Sequence, residues 1–175
     1  MRIFSFLMWK LRDYWIKTLI RKVRGKRFLD IGCDNGRFTK FVNSLGKEAI
    51  PCDIEKRNLE NFVLLDANYD FPFESSSFDC VLILDVIEHL YRPENCIKEI
   101  RRDLKKNGIL IISTPNSNFL INKIRGKRRK YKDHKFEFDK KEFDEFLSSN
   151  GFKILNKKLI PLIYEYFQIA ICIKQ

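Results

Sequence analysis

Residues 28–36, FLDIGCDNG, constrain the fold of this chain more than any other segment. An apolar run ends at Asp30-Ile31, a turn with glycines at 32 and 36 follows, and the helix-patterned segment RFTKFVNSLG begins at once. Glycines between a strand and a helix let the backbone approach a ligand closely, and the helix N-terminus attracts anionic groups. The segment therefore predicts a βα unit of a parallel sheet with a nucleotide-type cofactor at its turn.

The spacing of the glycines argues against a dinucleotide. A dinucleotide turn needs glycine at its first, third and sixth positions, which are Gly32, Asp34 and Arg37 in this chain. Arg37 would stand where the helix and the strand must pack closely. At the middle position, an aspartate tolerates a positive φ better than most residues, so we expect the turn to form without the middle glycine. A βα turn that binds no ligand stays open as the alternative at this point.

Strand and helix patterns alternate along the following hundred or so residues. Pro93 is expected to begin a helix that Gly108 closes. Short apolar runs predict four further strands, at residues 49–52, 63–65, 79–84 and 108–113.

The C-terminal part of the chain has a different pattern. Asp139 and Glu142 have the spacing of a capping box ahead of a helix. The last two apolar runs, 152–160 and 166–173, have no helix between them and predict an antiparallel hairpin. The fold class is therefore α/β, a Rossmann-like doubly wound sheet of seven strands that is mostly parallel with an antiparallel C-terminal hairpin.

The composition indicates a single globular domain, residues 1–175. Hydrophobic residues make up 45% of the chain and 16 residues are phenylalanine, which is enough apolar material for a full core. The five cysteines, odd in number and without a C-x-x-C pair, indicate reduced, buried thiols in a cytoplasmic protein. Because the chain has two histidines and no clustered thiols, no metal site is predicted.

The net charge of +11 predicts an anionic partner. An anionic membrane surface, a phosphorylated or lipid-linked substrate and nucleic acid would each match this charge. The basic segment 125–132, RGKRRKYK, contains one aromatic residue, whereas RNA-binding surfaces usually interleave several. Nucleic acid is therefore the weaker of these interpretations.

Residues 1–25 predict an amphipathic helix followed by a basic linker. Charged residues interrupt its apolar run, which argues against a secretory signal and against a membrane-spanning helix. We expect the helix to pack as a lid over the cofactor site, with peripheral contact to an anionic membrane as the alternative. The residues at helical spacing in its predicted apolar stripe are Ile3, Phe4, Leu7, Met8, Leu11, Trp15 and Leu19.

Asp30 and the run Gly32-Cys33-Asp34-Asn35-Gly36 together resemble motif I of the class I S-adenosylmethionine (SAM) dependent methyltransferases. In that motif an acidic residue precedes a G-x-G-x-G run. Later segments resemble the "type 11" branch of that family in the expected order. They are FPFESSSFDCVLILDVIEHL at 71–90, LKKNGILIISTPN at 104–116 and HKFEFDKKEFDEFLSSNGF at 134–152. The resemblance covers about residues 26–175 and implies SAM as the cofactor.

The resemblance also implies which residues contact SAM. Asp53, at the tip of the second strand, would accept the ribose hydroxyls, and Asp66-Ala67 would contact the adenine. The segment between Asp53 and Asp66 is shorter than usual in the family, so we expect an abbreviated second helix. The full set of expected cofactor-binding residues is Asp30, Gly32, Cys33, Asp34, Gly36, Asp53, Ile54, Asp66, Ala67, Leu84 and Asp85.

The tip of the fourth strand, Leu84-Asp85-Val86-Ile87, bears on the acceptor. It lacks the (Asp/Asn)-Pro-Pro-aromatic motif of nucleobase amino-group methyltransferases. RNA cytosine-C5 methyltransferases need a cysteine nucleophile near this tip, whereas Cys80 lies inside the strand. The resemblance therefore favours methylation of a small-molecule, lipid or glycan acceptor, most often on oxygen. An RNA-directed methyltransferase and a SAM-binding accessory protein without catalysis remain the alternatives.

A hydroxyl acceptor needs a group that takes its proton, and histidine suits that role at neutral pH. We predict that His89 is the general base and that Glu88 orients its ring. We predict that His134 lies nearer the acceptor, beside a basic insertion at residues 117–138 that shapes the acceptor pocket.

Overall fold

A seven-stranded sheet forms the centre of the protein in a computed structural model that describes residues 2–116, 134–161 and 166–175. The strands, in chain order, are β1 (Arg27–Ile31), β2 (Glu48–Asp53), β3 (Val63–Leu64), β4 (Phe78–Leu84), β5 (Leu104–Asn116), β6 (Phe152–Pro161) and β7 (Tyr166–Lys174). They lie side by side in the order β3-β2-β1-β4-β5-β7-β6. Strands β1 to β5 pair in parallel, and β7 is antiparallel to both β5 and β6. The predicted fold class is confirmed.

Helices cover both faces of the sheet. In the described residues they are α1 (Arg2–Lys22), α2 (Arg37–Ser44), α3 (Pro93–Asp103) and α4 (Lys140–Ser149), and a 3-10 turn spans Ile87–His89. On one face α3 and α4 bury Ile97, Ile100, Phe143 and Leu147 against the sheet. On the other face the core includes buried residues of α1 and α2. Because both faces are covered, the central strands are buried along almost their whole length, as in other doubly wound folds.

The prediction that Gly108 closes the third helix is wrong. The helix ends at Asp103, and Leu104 already has extended backbone (φ −69°, ψ 135°) that opens β5. The residue with positive φ in this region is Asn107, at 60°. A Cβ at Gly108 would lie 2.9 Å from the Lys105 carbonyl oxygen, so the glycine allows a tight bend inside a long strand rather than a helix end.

The capping box ahead of α4 is confirmed. The Asp139 carboxylate accepts hydrogen bonds from the N–H groups of Lys141 and Glu142, and the Glu142 carboxylate accepts one from the Asp139 N–H. The paired strands β6 and β7 confirm the predicted hairpin, although the residues that connect them, 162–165, lie outside the described part of the chain. The basic segment 125–132 also lies outside it.

Helix α1 packs on the sheet through a side that overlaps the predicted stripe only in part, since Trp15 and Leu19 of the stripe are partly buried against the core. Arg12, Ile16, Ile20 and Val23 are buried, whereas two residues of the predicted stripe are exposed, Leu7 by 56% and Leu11 by 37%. The sequence pattern did not indicate this side because Arg12 is charged. In the fold its side chain is buried and makes an ion pair with Asp85. None of the helices in the described ranges is long and apolar enough to cross a membrane.

Candidate functional site

The glycine turn after β1 has the backbone geometry that its sequence requires. Gly32 and Gly36 adopt left-handed conformations, with φ of 70° and 72°. The N–H groups of Gly32 and Cys33 donate to the Cys52 carbonyl at 2.8 and 2.9 Å, which ties the turn to β2. A Cβ on Gly32 would lie 2.2 Å from Cγ2 of Val86. Glycine is therefore required here both by φ and by the approach of the β4 tip.

Asp34, the residue in place of the family's middle glycine, also has a positive φ, 48°. This agrees with the expectation that an aspartate lets the turn form. Its side chain is 72% exposed and lies 3.8 Å from the Arg57 guanidinium, so the carboxylate points towards solvent and a cation. Its backbone N–H donates to Asp53 Oδ2 at 2.9 Å.

The two carboxylates at the tips of β2 and β3 orient their own loops. Asp53 is 8% exposed and accepts N–H bonds from Asp34 and Glu55, at 2.9 and 3.0 Å. Asp66 accepts bonds from the backbone and the side-chain amide of Asn68, at 2.9 and 2.8 Å. The segment between them, residues 54–62, forms bends and turns rather than a helix. The second helix, which was predicted to be abbreviated, is therefore replaced entirely by a loop.

A cavity of about 360 Å³ lies at the carboxyl ends of β1, β2 and β4, where ligands bind in open parallel sheets. Six of the predicted cofactor-binding residues line it: Gly32, Asp53, Ile54, Asp66, Ala67 and Asp85. The lining residues that the sequence reasoning missed are Ile31, Leu65, Asn68, Val86, Leu90 and Tyr91. Position after a strand tip was the available signal, because five of these six residues lie within seven residues after the end of β3 or β4.

Five predicted residues, Asp30, Cys33, Asp34, Gly36 and Leu84, do not line the cavity. Asp30 lies beneath the turn, where Thr39 Oγ1 of α2 donates to it at 2.6 Å. Burial raises the pKa of Asp30 to about 6 and the pKa of the Cys33 thiol to about 12. These two residues support the glycine turn from inside the core. A larger concavity of about 970 Å³ between α4 and β6 contains none of the predicted site residues.

Arg12 of α1 reaches the tip of β4 and was not foreseen as a site residue. It is 1% exposed, pairs with the Asp85 carboxylate and donates to Ser113 Oγ at 3.1 Å. Asp85 has a positive φ of 58°, in the left-handed region that aspartate tolerates better than most residues. Burial raises the pKa of Asp85, although the Arg12 charge acts in the opposite direction.

The structure brings the three predicted catalytic residues together. The His89 and His134 ring centroids are 4.9 Å apart, and ligand atoms of both rings and of the Glu88 carboxylate lie within 4.8 Å of one another. Glu88 is 1% exposed, and burial, followed by the nearby Asp85 charge, raises its pKa to about 8. His89 also lines the cavity. His134 thus lies against His89 rather than at a separate place, and the role of each residue stays a prediction.

Fold and cavity together define an α/β enzyme of the kind that binds a nucleotide-type cofactor at its strand tips. A family model described as "Methyltransferase domain" matches residues 29–112. An uncharacterised protein of Methanocaldococcus jannaschii is 33% identical over 147 residues, 79% of this chain and 70% of that protein. The chain belongs to the class I SAM-dependent methyltransferases, in the type 11 branch, and its cofactor is SAM.

For relatives with named activities, the match to this chain covers a smaller share of the relative. The ubiquinone biosynthesis O-methyltransferase of Pelagibacter ubique is 29% identical over 61% of this chain and 49% of that enzyme. The small RNA 2'-O-methyltransferase of Gallus gallus is 26% identical over 79% of this chain and 44% of that enzyme. The chain therefore spans about half the length of these relatives.

A solved structure shows the same fold. The 1,6-didemethyltoxoflavin-N1-methyltransferase of Burkholderia thailandensis, solved with bound 1,6-didemethyltoxoflavin and S-adenosylhomocysteine, has a TM-score of 0.74. It is 16% identical, and the likeness covers 95% of this chain and 83% of that enzyme.

Proposed function

We propose that this enzyme transfers the methyl group of SAM to a hydroxyl oxygen of a small-molecule, lipid or glycan acceptor. The observation that carries the proposal is the position of His89, on the wall of the same cavity that Gly32 and Asp53 line. Bound SAM supplies an electrophilic methyl group on a sulfonium, so the protein has to align the acceptor and provide for its proton. A histidine beside a buried glutamate at this place suits that second task.

The side chains near the cavity do not match two other kinds of methyl transfer. The β4 tip, Leu84-Asp85-Val86, offers no proline pair to hold a nucleobase amino group. Methylation of a cytosine carbon needs a cysteine nucleophile at the site. Cys80 is fully buried inside β4, and burial holds the pKa of its thiol far above the usual range. A thiol in that state is a poor nucleophile.

For the cofactor, the chain offers contacts of three kinds. The glycine turn lets the backbone approach closely, Asp53 presents a carboxylate to ribose hydroxyls, and Asp66-Ala67 borders the adenine end. The Asp53 carboxylate already accepts two N–H bonds, but a carboxylate has about four acceptor positions. It can therefore keep these bonds and still accept ribose hydroxyls.

A second candidate is an RNA hydroxyl as the acceptor. The similarity to the small RNA 2'-O-methyltransferase of Gallus gallus and the net charge of +11 favour it. The segment with the strongest basic character, 125–132, lies outside the described residues, so no described contact surface supports it. The same chemistry would apply to either acceptor, since both present a hydroxyl.

The solvent-facing side of α1 supports an acceptor presented at a membrane. Leu7, Leu11 and Tyr14 follow one another at helical spacing and are 56, 37 and 60% exposed. Basic residues Arg21 and Lys22 end the helix. An exposed apolar stripe with adjacent positive charge is typical of helices that lie on anionic lipid. We propose peripheral membrane contact through this face.

Calorimetry and methyl-transfer assays test the function. We expect micromolar-range binding of SAM and S-adenosylhomocysteine and no useful binding of NADH. Gly32→Ala should abolish SAM binding because its Cβ would collide with Val86. Gly46→Ala is the matched control, since Gly46 has the same φ of 70° but nothing within 4 Å of an added Cβ.

The acceptor class follows from methyl-labelled SAM and separated lipid, glycan, small-molecule and RNA fractions. Label in an ether linkage of the first three fractions supports the proposal, and label confined to RNA favours the second candidate. NADH binding without SAM binding would overturn the cofactor assignment.

A further inference from the structure

The loop that follows β2, residues 54–62, lies against the glycine turn. Leu59 of this loop packs on Gly36, since a Cβ added at Gly36 would lie 2.7 Å from both methyl carbons of Leu59. The Arg57 guanidinium, two residues earlier, lies 3.8 Å from the Asp34 carboxylate in the same turn. The loop is therefore in contact with the turn at one apolar and one charged point.

Arg57 faces three carboxylates. Its Nη2 lies 2.9 Å from Glu55, 3.7 Å from Asp53 and 3.8 Å from Asp34. The Glu55 side chain is exposed, so water screens that pair and it contributes little. The other two carboxylates are joined to each other, because the Asp34 N–H donates to Asp53 Oδ2. Arg57 thus places a positive charge between the tip of β2 and the glycine turn.

The order of the strands predicts which part of SAM lies at this turn. β3, β2, β1 and β4 are neighbours in that order, and the proposed contacts place the adenine at Asp66 after β3 and the ribose at Asp53 after β2. The methionine part of SAM then extends over the turn after β1, towards His89 after β4. It carries a carboxylate and an ammonium group, and Asp34 is the acidic side chain of the turn that it passes.

A carboxylate at position 34 is unfavourable for the carboxylate of SAM. Two like charges about 5 Å apart near a protein surface repel strongly enough to weaken binding about tenfold. Glycine, which the family has at this position, brings no such charge. In this chain the Asp34 carboxylate lies beside the Arg57 guanidinium instead of on the cavity wall. Bound cofactor would cover this pair from solvent, and a lower local dielectric strengthens an ion pair.

We propose that Arg57 is a positioning residue for the cofactor. It holds the Asp34 carboxylate towards the loop and neutralises its charge, so that the turn accepts the methionine carboxylate although the middle glycine is missing. Arg57 acts through Asp34 and does not itself have to touch the ligand. This role rests on the proposed function, which places the ribose at Asp53.

A double-mutant cycle with Arg57→Gln and Asp34→Gly tests this role, with S-adenosylhomocysteine as the calorimetric ligand. Glycine suits the φ of 48° at position 34, and Asp34→Gly keeps the N–H that Asp53 accepts. Arg57→Gln should weaken ligand binding about tenfold in the unchanged background. In the Asp34→Gly background it should weaken binding by about twofold or less, because the carboxylate that it neutralises is gone.

Two further variants separate the local charge from other effects. Arg57→Lys keeps the positive charge and should retain most of the affinity. Lys56→Gln is the matched control, since it removes the same charge from an exposed neighbour on the same loop. We expect Lys56→Gln to bind S-adenosylhomocysteine as the unchanged protein does.

Binding of 5′-methylthioadenosine distinguishes positioning by charge from a structural role. This ligand has the adenine, the ribose and the sulfur of S-adenosylhomocysteine but neither the carboxylate nor the ammonium. Arg57→Gln should therefore weaken its binding by less than about threefold, which leaves only the effect on Asp53. A residue that merely held the loop in place would affect both ligands alike.

Three results would overturn the role of Arg57. They are equal weakening by Arg57→Gln in the two Asp34 backgrounds, equal weakening for both ligands, and tighter binding of S-adenosylhomocysteine by Arg57→Gln, which would mean that Asp34 serves the ammonium. Circular dichroism checks that each variant is folded. Any of these results with normal binding by the unchanged protein concerns Arg57 alone, whereas absence of S-adenosylhomocysteine binding in the unchanged protein overturns the proposed function as well.

Discussion

At the scale of single residues, Asp53 combines a structural task with a predicted binding task. It orients the turn through the Asp34 N–H and its own loop through the Glu55 N–H. We expect Asp53→Ala to cost about 1.5–3 kcal/mol of SAM binding free energy, the usual scale for hydrogen bonds to a charged group. This corresponds to a dissociation constant raised roughly 10- to 150-fold.

Calorimetric titration with S-adenosylhomocysteine measures this loss. Glu55→Ala is the matched control, because Glu55 lies on the same loop with a side chain 72% exposed and is expected to change the dissociation constant little. If Asp53→Ala binds the ligand as well as the unchanged protein does, Asp53 only caps its strand.

Asp30 makes the stability of the protein depend on pH. Burial raises the pKa of Asp30 from 3.8 to about 6 in the folded state, so the folded protein binds more protons than the unfolded chain between these values. The free energy of unfolding should therefore fall as the pH rises from about 4 to about 6, by roughly 3 kcal/mol from this group alone. At higher pH this loss stays constant.

Asp30→Asn should remove that decline, since an amide stays neutral. Urea unfolding at a series of pH values measures the difference between the variant and the unchanged protein, which should shift in favour of the variant between about pH 4 and pH 6. Asp70→Asn makes the same chemical change at an exposed position and should leave the pH dependence as it is. Parallel curves for Asp30→Asn and the unchanged protein would contradict the assignment.

Sequence could identify the site residues that follow strand tips and could not identify those that depend on distant packing. Asp53 and Asp66 can be predicted from the sequence because ligands bind at the carboxyl ends of the strands in a parallel sheet. The role of Arg12 cannot be predicted in this way, since its burial depends on how α1 packs on the sheet and brings Arg12 to Asp85. Asp30 was assigned to the cofactor from its place in the motif, but its depth below the turn depends on contact with α2.

At the scale of elements, α1 is joined to the site by the Arg12–Asp85 ion pair. The Arg12 guanidinium carbon also lies 5.2 Å from the ring centres of both Trp9 and Phe167, which are in contact with each other. Breaking a buried pair by removing one partner costs about 3–5 kcal/mol. Because the Asp85 side chain is 20% exposed, we expect Arg12→Met to lower the free energy of unfolding by less than this, about 2 kcal/mol.

A double-mutant cycle tests that coupling. In the Arg12→Met/Asp85→Asn variant no charge is left without its partner, so this protein should be more stable than the Arg12→Met variant. Urea unfolding of the two single variants and the double variant gives the interaction energy. If the effects of the two substitutions simply add, the ion pair does not hold α1 on the sheet.

The elements themselves show where local pattern is sufficient. The glycine turn, the capping box of α4 and the antiparallel hairpin were predicted because each depends on residues close together in the chain. The end of α3 was not, because Gly108 was taken as a helix terminator when it lies inside a bent strand. Whether a glycine ends a helix or permits a bend depends on the neighbouring strand, in this case β4.

At the scale of the whole molecule, charge and an exposed apolar stripe coincide on one side of α1. One side of the helix packs against the sheet, and Leu7, Leu11 and Tyr14 lie on the other side, exposed to solvent. Each basic residue near an anionic surface contributes about 1 kcal/mol to binding, and the chain carries a net charge of +11. We therefore expect the protein to bind anionic vesicles at low salt and to be released as the salt concentration rises.

Co-sedimentation with vesicles of phosphatidylglycerol and phosphatidylcholine measures this binding. The Leu7→Glu/Tyr14→Glu variant should bind anionic vesicles at least tenfold more weakly, because two carboxylates replace apolar surface and repel the lipid headgroups. Leu64→Glu is the matched control. Leu64 is 63% exposed on the edge strand β3, so one added charge there lowers the net charge without touching α1. If the unchanged protein stays in solution with anionic vesicles at low salt, or if Leu64→Glu weakens binding as much as the α1 variant does, the exposed side of α1 is not a membrane contact.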